Sequence, residues 1–230
     1  MLSITTLGCP IASARAGACR RDALLVLLAI ASIWLVAACR WIVTDTVVPW
    51  DAKNQFYAFF RFLAAAIHAG EPPFWNPDHY GGHPSVADPQ SLVFAPPIVL
   101  WALFDPEPSI RTFDLIVYAH LGLGGLAVGA LGWRAGWPAA ASILAAAIFM
   151  FGGPASGRLQ HTGIILSYGL FPAALLLMQM ALQRRSMAIA GAFAVVAAML
   201  ALGRRRCSCA SCWRRRSWQR SPGPRTSGLI

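Results

Sequence analysis

Five apolar runs, at residues 23–43, 112–133, 137–153, 163–182 and 187–202, dominate this chain and set its fold class. The first alone is about 30 Å long as a helix, enough to cross the hydrocarbon core of a bilayer. Composition agrees. The 230 residues are 57% hydrophobic and only 12% charged, with a mean hydropathy of +0.56, where soluble domains carry about 25% charged residues. The expectation is an all-α integral membrane protein, a multi-pass helical bundle.

Polar chemistry is concentrated in one place. Eight of the nine acidic residues lie between Asp45 and Asp114, and none follows Asp114. Ionisable groups are costly in a membrane protein and gather where function needs them. The formal net charge is +10, but eight of the 19 basic residues follow Gly203. The others sit mostly beside apolar runs, where they orient helices. There is no nucleic-acid-binding pattern. The six cysteines, Cys9, Cys19, Cys39, Cys207, Cys209 and Cys212, all fall outside the acidic stretch, so no disulfide framework is expected there.

Charge also orders the topology. Residues 1–21, with Arg15, Arg20 and Arg21, read as a cytoplasmic N-terminus before the first crossing. A signal peptide is the rival reading, and Val36-Ala37-Ala38-Cys39 resembles a lipoprotein cleavage box, but the run stays apolar past Cys39 and further membrane segments follow. Residues 91–104 decide the rest. If they cross, Arg134, Arg184 and Arg185 lie outside. If they rest on the outer surface, all three face the cytoplasm. A 14-residue segment containing Pro96-Pro97 suits the surface, so residues 44–111 form one outer loop with surface helices. Acids of this loop then face bases of the second outer loop, 154–162, which carries Arg158 and His161.

Within the outer loop, residues 51–69 read as an amphipathic helix with Phe56, Phe59, Phe60, Leu63 and Ile67 on one face and Lys53, Asn54 and Arg61 off it. Gly70-Glu71-Pro72-Pro73 ends it. Asp51, at its foot, is placed to take a proton from a hydroxyl, and also reads as a helix-dipole acid. Asp45 is an alternative base. Asp88 is a second candidate carboxylate, or a turn residue before Pro89. His79 and His83 flank Tyr80-Gly81-Gly82; the spacing fits no metal pattern, so no metal or other cofactor is indicated. His83, Trp75 and Tyr80 can instead bind a sugar by hydrogen bonding and ring stacking, or the aromatics mark the membrane interface. Arg111, Arg158 and His161 can hold a phosphate, or meet anionic headgroups of membrane lipids. Gly125 and Gly129 predict close helix packing, and His120 is expected to face the bundle.

After Gly203 the character changes to RRRCSCASCWRRRSWQRSPGPRTSGLI. Its three cysteines lack a fourth ligand for a metal site. In GC-rich DNA, codons for Arg, Cys, Ser and Trp give Leu, Val and Ala in another frame. Residues 204–230 are therefore expected to be an out-of-frame replacement of further apolar sequence, with a native basic cytoplasmic tail as the alternative.

The order of residues in the outer loop resembles a known family. Asp51 with Gln55-Phe56-Tyr57, Gly70-Glu71-Pro72-Pro73-Phe74-Trp75-Asn76-Pro77, Gly81-Gly82-His83-Pro84, Ala87-Asp88-Pro89-Gln90-Ser91 and Phe94-Ala95-Pro96-Pro97 together resemble the bacterial YfhO-like membrane proteins, which are similar to GT-C class glycosyltransferases. The resemblance covers about residues 22–203. It implies a GT-C-like membrane domain in the bacterial inner membrane. There a polyprenyl-phosphate sugar would be the donor, a cell-envelope molecule the acceptor, and Asp51 the general base. Such proteins have many more crossings, so the chain is also expected to be a truncated and inactive copy. A transporter of a polar or lipid-linked solute, and a non-catalytic membrane fragment, are the competing expectations.

Overall fold

The structure, a computed structural model, describes residues 13–44, 46–88 and 90–203. Asp45, Pro89 and the tail 204–230 lie outside the described residues, and with them the expectations placed on Asp45 as a base and on the tail. Among the described residues every regular element is helical: α1 (Ser13–Val43), a π-helical turn (Ala52–Phe56) running into α2 (Tyr57–His68), α3 (Pro96–Phe104), α4 (Ile110–Arg134), α5 (Ala139–Phe151), α6 (Gly153–Ser156), α7 (Thr162–Arg184) and α8 (Met187–Gly203).

Four segments are long and apolar enough to cross a membrane: Arg21–Trp41, Ile110–Arg134, Ala139–Ser156 and Thr162–Arg184. The fifth expected crossing forms α8, a helix of 17 residues. At about 25 Å it is a little shorter than the hydrocarbon core. Helix α1 starts at Ser13, ahead of the apolar run. Helix α3 has nine residues, with its prolines in the first turn. That length, about 14 Å, cannot span a bilayer. Helix α3 instead packs on α2: Ile98 and Ala102 are buried, and His68 Nε2 donates to the Ala102 carbonyl at 3.1 Å.

The periodic face of residues 51–69 packs inward. Phe56, Phe59, Phe60 and Leu63 are buried, while Lys53, Asn54 and Arg61 are exposed. Phe60 meets Phe113 of α4 with ring centroids 5.7 Å apart, so the outer loop is seated on the bundle through aromatic contacts.

Helix α4 is the hub, packing against α1, α5 and α7. It starts cleanly because the Ser109 hydroxyl accepts from the Thr112 amide at 3.1 Å. Its glycines set how closely the neighbours approach. A Cβ at Gly122 would strike the Trp34 ring, one at Gly125 the Met150 side chain, and one at Gly129 the Ile30 side chain. The tightest seam is with α7, where a Cβ at Gly124 would sit 2.8 Å from the Gly169 carbonyl oxygen. A Cβ at Gly169 would collide with the His120 carbonyl. The expected packing role of Gly125 and Gly129 is thus one part of a longer glycine seam. Polar contacts lock the same neighbours: Trp34 Nε1 donates to the Tyr118 carbonyl at 3.0 Å, and Tyr168 Oη donates to the Phe149 carbonyl at 3.0 Å.

These pairings run in opposite senses. On α1, positions 30 and 34 meet 129 and 122 of α4, so α1 and α4 are antiparallel. Arg134, at the far end of α4, hydrogen-bonds Gln183 near the end of α7. Arg21, Arg134, Arg184 and Arg185 therefore gather at one end of the bundle, and residues 46–109 and 152–161 at the other.

Backbone-on-backbone contact leaves no side chain to yield. Gly169→Ala is expected to destabilise the bundle by about 1–3 kcal/mol. Gly191→Ala meets open space and is expected to be neutral or stabilising by up to about 1 kcal/mol. Thermal unfolding of both variants in detergent checks the contrast; equal behaviour would remove the seam from the account of stability.

Candidate functional site

The end opposite the arginines carries most of the predicted site residues. Asp51 opens the π-helical turn just after Trp50, a bulky residue held at φ 62°. Such backbone is strained, and π-turns are frequent at functional positions. The Asp51 carboxylate makes no capping hydrogen bond to its own helix. Its Oδ2 lies 3.8 Å from Nε2 of His161, 110 residues away in sequence. The two outer loops thus meet at this pair. Side-chain exposures of 52% for Asp51 and 26% for His161 limit such a contact to about 1 kcal/mol or less of stability. Arg158 is exposed on the same short loop, and its carbonyl accepts from the His161 amide at 2.8 Å.

A second cluster lies in the turn-rich part of the outer loop. An isolated antiparallel bridge between Asn76 and His83 pinches the loop closed. The turn inside it is tight, with Tyr80, Gly81 and Gly82 all at positive φ, and the Trp75 ring lies where a Cβ on Gly82 would be. His83 Nε2 is 3.0 Å from Asp88 Oδ2, and Asp88 Oδ1 accepts from the Gln90 amide at 2.7 Å. The Gln90 side chain in turn accepts from Gln55 Nε2 at 2.7 Å. Gln55 is one helical turn beyond Asp51, so the two clusters are neighbours along one helix. The His79 and His83 rings pack on buried Phe59, at 4.9 and 6.1 Å between centroids.

Arg111 belongs to a third group. With Thr46, Thr112 and Asp114 it lines the polar part of a cavity of about 240 Å³, whose remaining walls include Ala38, Trp41 and Tyr118. Those three residues also line an apolar cavity of about 170 Å³ reaching Trp34, Leu121 and Met150. Ala155, Ser156 and Leu159 roof it. They belong to the loop that carries Arg158 and His161. The two cavities adjoin at these shared walls, one polar and one apolar, a crevice in two parts.

Asp114 was not visible as a site residue in the sequence. It is only 6% exposed, and its Oδ2 accepts from the Val48 amide at 3.0 Å. The available signal was its spacing: Arg111, Asp114 and Tyr118 fall three and four apart, on one helical face. Gln55 and Gln90 were likewise unassigned. His120 donates from Nδ1 to the Ile116 carbonyl of its own helix at 2.7 Å. Among the described residues, no three His, Cys, Asp or Glu side chains converge on a metal-binding geometry.

Comparison with protein families, with characterised proteins and with solved structures finds no match.

Asp114→Ala would leave the buried Val48 amide without its acceptor, an expected loss of about 1–3 kcal/mol. Asp114→Asn keeps a carbonyl oxygen in place and is expected to lose less than half of that. Chemical or thermal unfolding of the two variants, side by side, tests the assignment.

Proposed function

We propose that this chain is a membrane glycosyltransferase-like protein that moves a sugar from a polyprenyl phosphate to a hydroxyl of a cell-envelope acceptor. The observation that carries the reading is the Asp51–His161 pair, 3.8 Å apart, at the end of the bundle opposite the arginines. An amphiphile with an anionic head would suit the two adjoining cavities: its chain would lie along Trp34, Leu121 and Met150, and its head at Arg111. The resemblance of the outer loop to YfhO-like proteins points the same way.

In this mechanism Asp51 takes the proton of the acceptor hydroxyl. The oxygen attacks the anomeric carbon, and the bond from that carbon to the lipid phosphate oxygen breaks. The phosphate leaves with the electron pair, and Arg111, Arg158 and His161 stabilise its charge. The anomeric configuration inverts. The alternative of a transporter asks for polar groups along several spans. The side chains of Asp114 and His120, both on α4, are already bonded to backbone groups.

Asp51→Asn is expected to reduce sugar transfer by about 10²–10⁴-fold with membrane expression unchanged. Transfer from a radiolabelled polyprenyl-phosphate sugar in vesicles reads the loss; full retained activity would refute Asp51 as the base. The proposal also places the arginine end in the bacterial cytoplasm. In a cysteine-free background, Asp78→Cys is expected to react with an impermeant maleimide in intact cells, and Ala135→Cys only after lysis. The reverse pattern would invert the topology.

A further inference from the structure

The His83–Asp88 cluster borders an open surface depression of about 390 Å³, lined by Gln55, His79, Tyr80, His83, Asp88 and Gln90 together with Pro84 and Ala87. That is within the range of small-molecule sites, about 300–1,000 Å³. Its chemistry differs from that of the crevice. No lysine or arginine lines it, so an anion would meet the Asp88 carboxylate without a permanent cation to balance it. What it offers is a set of neutral donors and acceptors, the amides of Gln55 and Gln90, beside a carboxylate already fixed by His83.

One ring stands ready at the rim. Tyr80 is 86% exposed and is held at φ 53° between His79 and Gly81. A large exposed aromatic in that conformation stabilises nothing that burial or backbone preference would explain. The His79 ring lies 4.1 Å from it and backs one side. The rest of the ring is exposed.

We infer that this pocket is a binding site for a neutral, hydroxyl-rich saccharide. The Tyr80 ring would stack on the apolar face of a sugar, while Asp88, Gln55 and Gln90 would bond its hydroxyls. Resting on the proposed transfer reaction, the pocket is the acceptor subsite: Gln55 and Asp51 are one helical turn apart, so a sugar held at Gln55 presents a hydroxyl toward the Asp51 carboxylate. The acceptor is then a neutral glycan end, and the anionic partner is confined to the crevice.

The test is equilibrium binding to the full chain in nanodiscs. The probes are neutral di- and trisaccharides of glucose, galactose and N-acetylglucosamine, set against the same sugars carrying a phosphate. At least one neutral glycan is expected to bind saturably and more tightly than its phosphorylated form. Tyr80→Ala should weaken it about ten-fold, and Tyr80→Phe, which keeps the ring, should not. Because Tyr80 is exposed, loss of helicity is not expected, and circular dichroism checks this. Preference for the phosphorylated sugars, the absence of any neutral binding, or unchanged affinity in Tyr80→Ala would overturn the inference. Asp51→Asn separates the two ideas. Intact binding with transfer abolished supports both. Intact binding with transfer retained supports the pocket and removes Asp51 as the base.

Discussion

The glycine seam along α4 is the constraint on which the rest of the bundle depends. Inside a bilayer, lipid tails are as apolar as leucine, so helices associate through close packing rather than through escape from water. Gly122, Gly125 and Gly129 admit Trp34, Met150 and Ile30, and Gly124 brings α4 against the backbone of α7. Three helices thereby lock to one, each at a fixed height. That height decides where the short loop after α5 sits, and so where His161 meets Asp51. A site built from two segments 110 residues apart is held in register by contacts well below it.

The two polar clusters divide the chemistry. The crevice combines Arg111 with apolar walls, suited to an amphiphile with a charged head. The pocket around Tyr80 combines amides, a histidine-bound carboxylate and an open aromatic face, suited to an uncharged polar molecule. A single helix, starting at Asp51 and passing Gln55, joins that pocket to the Asp51–His161 pair. Asp51, the residue just before its π-turn, makes no capping bond to its own helix and faces His161 of the neighbouring loop.

Much of this was readable from sequence, and the exceptions have physical reasons. Long apolar runs gave the helical membrane architecture, since length and hydropathy are local properties. The amphipathic face of Phe56, Phe59, Phe60 and Leu63 followed from spacing, and the prolines of Pro96-Pro97 sit in the first turn of a helix too short to span. The meeting of acids from one loop with bases of the other followed from topology, though the choice of His161 as the partner of Asp51 did not. The contact of Asp114 with the Val48 amide was hidden because its partner is a backbone group with no sequence signature. The Gln55–Gln90 bond was hidden for a similar reason: amides show no periodicity, and the two residues are distant in the chain. The early start of α1 at Ser13 shows a helix continuing past its apolar run, because arginine and alanine are good helix formers outside the bilayer.

The separation of charge between the two ends has an electrical consequence. One end collects Arg21, Arg134, Arg184 and Arg185 with a single acid, Asp22, while the other carries the excess of carboxylates. The bundle is thus a dipole standing along its own axis. Moving one elementary charge through a membrane potential of 100 mV costs about 2.3 kcal/mol. In a membrane that is negative on the arginine side, turning the molecule over would drive both sets of charges uphill at once. The membrane potential would then act continuously to hold the arginine end on that side.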